Sequence, residues 1–264
     1  MALLFFTGAV FGHGYLKEPV SRNYAARLNN KFWCEHCGQG NGGVPDVCGN
    51  PFQGSTDKNF TDPSLWFDGF KANWTSGQAV DVTIYLSTNH GGRMAMRLCP
   101  LDRFSITPAC FEQPQNHLRR VAPGTKYDGK IYWYLKPSDS QITQTFRLPA
   151  GVTCASGCVL QWWWVGYQNC YLPCASPADD VEGECGVSVN GSGQCDSITR
   201  TEQFNNCADG YACGECAGRA GSACEAEQCV ACLRAGRDAY GCYTASYAAL
   251  CNGGPAGRRM RRLA

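Results

Sequence analysis

Nineteen cysteines in 264 residues limit what this chain can become more than any other feature. That many thiols do not persist in a reducing compartment, so the chain reads as a secreted protein stapled by disulfides, with one thiol over from the odd total. Twelve cysteines precede residue 210, and seven lie between Cys213 and Cys251, where Ala and Gly also rise. The expected organisation is a leader at 1–12, a main domain at 13–210, a small cysteine-rich module at 211–252 and a basic, disordered tail at 253–264. Spacing alone does not give the pairings. Cys34, Cys37 and Cys48, together with Cys99 and Cys110, are expected to pin a long N-terminal loop to the main domain. Cys213-x₂-Cys216 and Cys229-x₂-Cys232 have zinc-site spacing. In a secreted chain oxidation is favoured, and a module this small needs covalent staples.

The main domain reads as all-β. In "QAVDVTIYLST" (78–88), Val80, Val82, Ile84 and Leu86 recur at every second position, the pattern of a half-buried strand. "GGRMAMRLCP" (91–100) reads as the returning strand after a Gly-Gly turn. "KIYWYLK" (130–136) and "ITQTFRLP" (142–149) are further strands, "CVLQWWWVGYQNC" (158–170) is the most apolar and hence central, and "TEQFNNCADGYA" (201–212) is the last. Short strands, Gly/Pro turns and no helical period predict a β-sandwich with long disulfide-pinned loops. Lys+Arg of 23 against Asp+Glu of 22 gives no electrostatic case for nucleic acid or an anionic membrane as partner.

"MALLFFTGAVFG" (1–12) is apolar and too short to span a bilayer. It reads as the hydrophobic region of a signal peptide without a basic start, with Val10 and Gly12 at the small positions before a cleavage site. Sequons at Asn59, Asn73 and Asn190 agree with secretion and mark glycosylation sites. Cleavage after Gly12 makes His13 the first residue. Its α-amino group, with a pKa of roughly 7.7–8.0, then becomes a metal donor near neutral pH. Amine and imidazole of one residue chelate together, and one more imidazole completes a three-nitrogen site that favours copper. Of the other histidines, His36, His90 and His117, His90 is the best second ligand, because it follows directly on a strand that can hold it rigidly.

"HGYLKEPVSR" at the expected mature start, "STNHGGRMAMRLCP" around His90, "CVLQWWW" at 158–164 and "TEQFNNCADG" at 201–210 together resemble the lytic polysaccharide monooxygenases of the chitin-binding type 4 group, in particular its eukaryotic branch. The resemblance covers residues 13–210. It implies an immunoglobulin-like β-sandwich with a flat metal-bearing face and a histidine brace of His13 and His90 holding copper. It also implies oxidative cleavage of glycosidic bonds in an insoluble polysaccharide, chitin or cellulose, with an external electron donor and O₂ or H₂O₂. It further implies an aromatic on the axial side of the metal, five residues before the Asp of the last strand, which with Asp209 as that residue is Phe204. Thr88 stands where the family often has Ala beside the metal, and Gln161 is a candidate to face the activated oxygen. Tyr15 and then Trp33 are the candidate sugar-stacking aromatics. The implied protein is extracellular or cell-wall bound, monomeric, and without a membrane or nucleic-acid partner. Three other readings remain: a non-catalytic polysaccharide-binding or wall-structural protein on the same fold, a copper carrier, and a zinc-binding regulatory protein using the tail.

Overall fold

Alternation along the longest apolar strands builds a two-layer core. The computed structural model describes residues 13–31, 33–34, 46–50, 60–61, 72–101, 103–152, 157–187 and 191–213. The leader, Asn59, Asn190 and the chain beyond 213 lie outside the described residues. So do His36 and the Cys229-x₂-Cys232 pair. The strands are β1 (His13–Glu18), β2 (Ala72–Thr75), β3 (Ala79–Thr88), β4 (Arg93–Cys99), β5 (Arg119–Arg120), β6 (Trp133–Tyr134), β7 (Gln141–Arg147), β8 (Cys158–Gly166) and β9 (Glu202–Cys213). Two short helices, α1 (Arg22–Leu28) and α2 (Pro108–Glu112), interrupt them. One sheet has the order β1-β3-β7-β5 and the other β2-β9-β8-β4-β6. The most apolar strand, β8, is therefore central in its sheet, as its composition predicts. Asn73 lies in β2, at the edge of that sheet.

Period-two patterning decides what fills the space between the sheets. Leu16, Val80, Val82, Ile84, Leu86 and Phe146 from the first sheet meet Met94, Met96, Leu98, Leu160, Trp162, Trp164 and Phe204 from the second in one buried cluster. Trp162 and Trp164 are wholly buried. Each large side chain buried this way contributes about 1.5–3 kcal/mol. This is the expected all-β sandwich.

Three local differences from the sequence reading have physical causes. First, β3 and β4 are not paired as a hairpin; they lie in opposite sheets. Gly91 and Gly92, at φ 62° and 83°, let the chain cross between layers. A Cβ on Gly92 would sit 1.9 Å from the Val165 carbonyl oxygen. Second, β6 is two residues long, because the neighbouring amides are used elsewhere: Ile131 and Tyr132 donate to the Asp179 carbonyl and Leu135 to that of Gly92. Third, α1 and α2 exist although no helical period announces them. At seven and five residues they are too short to show one, and their signals are caps, Ser21 accepting from Tyr24 N–H and Thr107 from Cys110 N–H.

Four disulfides join described residues: Cys48–Cys207, Cys99–Cys110, Cys170–Cys195 and Cys174–Cys185. Cys48 of the expected N-terminal set reaches the sheet, at Cys207 of β9. Cys99 and Cys110 instead close a local loop on each other. The last two brace the 170–195 loop over the outer face of the second sheet, where Ala95, Trp163, Val165 and Tyr167 are buried. Cys213, grouped with the tail by composition, is the last residue of β9 and pairs in register with Thr75. No helix among the described residues is long and apolar enough to cross a membrane.

Candidate metal centre

Pairing of β1 with β3 places His13 opposite Thr88, two residues before His90. The antiparallel ladder thus delivers two imidazoles that are 77 positions apart in sequence (90 − 13) to one end of the sandwich. Gly14 makes the approach possible: a Cβ there would lie 2.7 Å from Leu86 Cδ2 and 2.8 Å from the Tyr85 carbonyl oxygen.

His90 is buried in the crossover from β3 to β4. Its carbonyl accepts from Tyr167 N–H at 3.2 Å. Its ring lies parallel to Trp164, with centroids 6.4 Å apart, and Trp164 in turn stacks on Phe204 at 4.4 Å. The Trp164 indole donates to the Gly91 carbonyl at 2.8 Å. A wall of aromatic rings therefore closes the inner side of this corner to water. Phe204 belongs to that wall and is a core residue of the sandwich as well.

Glu202 was not singled out from sequence. Its Oε2 lies 3.6 Å from His90 Nε2, and the carboxylate is buried. Gln168 donates its amide to the same oxygen. Glu202 is two residues before Phe204 on one face of β9, and that even spacing was the available signal. Thr88 is half-buried and pairs in register with His13.

Two candidates are corrected. Gln161 sits on the outer face of β8, away from the Trp162–Trp164 face. Its Nε2 donates to the Val47 carbonyl at 2.7 Å and its Oε1 accepts from Arg97 at 3.4 Å. Gln161 therefore secures the 46–50 segment and does not face the corner. Tyr15 is buried, 5% exposed. It stacks on Tyr24 at 4.9 Å, packs against Tyr85 at 5.2 Å and meets the edge of Trp33 at 6.1 Å. Its hydroxyl accepts from Arg27 at 2.6 Å. With its ring covered by these neighbours, Tyr15 has no face for a sugar. Alternation explains the error: Leu16 points into the core, so Tyr15 points to the outer face of the first sheet, where α1 covers it. Trp33 is half-buried, with the Arg27 guanidinium 4.7 Å from its ring centre.

The start of the domain is tied to β9 by a polar network that the sequence did not reveal. Asn206 Oδ1 accepts from Leu16 N–H at 3.0 Å. Arg22 makes a two-pronged bond to Asp209, which also accepts from Arg103 at 3.0 Å. These bonds hold β1, and with it His13, to the second sheet.

Among the described residues no three His, Cys, Asp or Glu side chains converge on a metal position. A brace asks for only two imidazoles, since its third donor is an amine. All-nitrogen ligation of this kind suits copper.

No curated protein matches the chain by sequence. Its fold is similar to that of the lytic polysaccharide monooxygenase AA15 from Thermobia domestica in the Cu(I) state, with TM-score 0.53 and 24% identity over 76% of this chain and 98% of that one. More distant are a chitin-binding domain from Burkholderia pseudomallei (TM-score 0.36, 12% identity, 76% and 99% covered) and the cellulose-active CelS2 in complex with copper (TM-score 0.33, 13% identity, 75% and 98% covered). The family model described as lytic polysaccharide mono-oxygenase, cellulose-degrading, matches residues 13–210, and this chain belongs to that family.

Proposed function

We propose that this protein is a secreted, copper-dependent monooxygenase that cleaves glycosidic bonds oxidatively in crystalline chitin or cellulose, with His13 and His90 as its histidine brace. The observation that carries this reading is the β1–β3 register, which sets His13 opposite Thr88 and so brings both histidines to one corner. The family match begins at His13, which supports removal of residues 1–12 and a free amine on His13.

Copper, when bound, supplies the one-electron redox chemistry by which O₂ or H₂O₂ oxidises a sugar C–H bond, after reduction by an external donor. The chain's own residues do the rest. His13 offers imidazole and amine, and His90 its ring. Trp164 and Phe204, stacked on each other, exclude water from the inner side. Thr88 sets the width of the approach beside His13. Glu202 Oε2, 3.6 Å from His90 Nε2, holds or releases a proton at the edge of the site. Trp33 is the remaining candidate to stack on a sugar ring. The chain after Cys213, where β9 ends, forms a separate disulfide-rich module to about residue 252 followed by the basic tail, and Asn59, Asn73 and Asn190 carry glycans. The mature protein acts as a monomer outside the cell or in its wall.

The test compares protein beginning at His13 with protein retaining Gly12. Cu(II) titration and mass analysis of soluble products from chitin and from cellulose, under ascorbate, are the readouts. Tight one-copper binding and oxidised oligosaccharides only from the His13 form support the reading. Copper binding without oxidised products points to a carrier. Polysaccharide binding without copper points to a non-catalytic binding protein.

A further inference from the structure

We infer that Asn89 is a positioning residue that bolts together the two chain crossings at the metal end of the sandwich and thereby fixes the angle at which His90 meets its metal. The inference rests on the reading of His90 as a copper ligand.

Two connections pass between the sheets here. Residues 89–92 lead from β3 in the first sheet to β4 in the second. Residues 135–140 lead back from β6 in the second to β7 in the first. One side chain joins them. Asn89 Nδ2 donates to the Lys136 carbonyl at 2.8 Å and to the Asp139 carbonyl at 3.0 Å. Asn89 Oδ1 accepts from Gly91 N–H at 2.7 Å, closing a tight turn around His90 itself. The amide thus uses both donors and its acceptor on backbone groups of both connections.

The partner turn is prepared to receive these bonds. Asp139 N–H donates to the Lys136 carbonyl at 2.9 Å, and Asp139 Oδ2 accepts from Lys136 N–H at 2.8 Å. Leu135 N–H donates to the Gly92 carbonyl at 3.0 Å, a second tie between the connections. Around His90 the carbonyls of His90, Gly91 and Gly92 accept from Tyr167, Trp164 and Leu135. Asn89 supplies the remaining link, on the first-sheet side of the histidine. It has the further effect of presenting the exposed Lys136, Pro137 and Ser138 at a fixed height beside the site.

Only Asn meets all three demands. Asp keeps the acceptor for Gly91 but sets a carboxylate against two carbonyl oxygens, while Ala loses every bond. The test uses Asn89→Asp and Asn89→Ala in protein beginning at His13, with wild type and His90→Ala as references. Amide hydrogen exchange of the metal-free protein is expected to quicken at 89–92 and 136–140 together. Cu(II) affinity is expected to fall roughly 10–100-fold, as for other residues that orient a metal ligand. The Cu(II) electron paramagnetic resonance spectrum is expected to change in the folded variants. Should Asn89→Ala not fold, Asn89→Asp carries the test. Unchanged exchange in the two segments overturns the clamp. Quickened exchange with wild-type spectrum and affinity overturns its hold on the metal geometry. Equal copper binding by wild type and His90→Ala overturns the copper reading instead, and the exchange data still decide the clamp.

Discussion

Arg22 grips Asp209 with two hydrogen bonds, Nε to Oδ2 at 3.1 Å and Nη2 to Oδ1 at 2.6 Å, across 187 positions of sequence. Both side chains are at most 3% exposed. The pair joins the element that follows the metal-bearing strand β1 to the last strand, β9. Asp209→Ala leaves the guanidiniums of Arg22 and Arg103 buried without this carboxylate. That loss costs about 3–5 kcal/mol, which lowers Tm by on the order of 10 °C. A Tm within about 2 °C of wild type would show that the network contributes little.

Removing the Cys48–Cys207 bridge is expected to loosen a second anchor. It closes a loop of sequence separation 159, and its loss costs about 5 kcal/mol in the chain-entropy account. A Cys48→Ser, Cys207→Ser double variant should melt lower and be cut faster by protease near 46–50. Gln161 and Asn205, which bond the carbonyls of Val47 and Asp46, moderate the effect. Equal protease half-lives would argue that those two side chains suffice.

Glu202→Gln tests the acid at the edge of the site. The substitution keeps the shape and removes the charge 3.6 Å from His90 Nε2. Copper affinity should change by no more than a few-fold, while formation of oxidised product falls by about 10²-fold. Loss of copper in parallel with product would assign Glu202 to holding His90 instead of to proton handling.

Acid should destabilise the fold partly through His117. Burial, and then the Arg97 guanidinium, hold its pKa below the ordinary 6.5. Its Nε2 pairs with the Phe111 carbonyl at 3.1 Å, so the neutral ring donates there. Between the folded value and 6.5 the unfolded chain binds more protons, so stability rises with pH in that window. The contribution is complete above 6.5 and is lost as pH falls through the folded value. Tm measured from about pH 7.5 to about pH 5 should drop more for wild type than for His117→Gln. Parallel curves would remove His117 from the account.

Much of the fold was legible because alternation writes itself into sequence. Val80, Val82, Ile84 and Leu86 identify β3 and its inward face, and the Trp-rich run identifies the central strand. His13 and His90 stood out as candidate ligands for chemical reasons: one stands at an expected terminus, the other at a strand end. Glu202 and Asn89 were harder to read. A carboxylate in a strand and an amide beside a Gly-Gly turn are common, and only their neighbours give them work.

The sequence by itself determined the period of each long strand, the cysteine-rich chemistry and the two histidines. Tertiary structure alone decided which face a given side chain serves. One position along β1 separates Leu16 in the core from Tyr15 under α1, and the parity of Gln161 turns it away from the corner that Glu202 lines. It also decided that β3 and β4 separate into different sheets, because that depends on the crossing at Gly91 and Gly92 and on what Val165 leaves room for. Side-chain period is local and survives in one dimension. Contact across sheets depends on register and crossover geometry, which exist only once the chain has closed on itself.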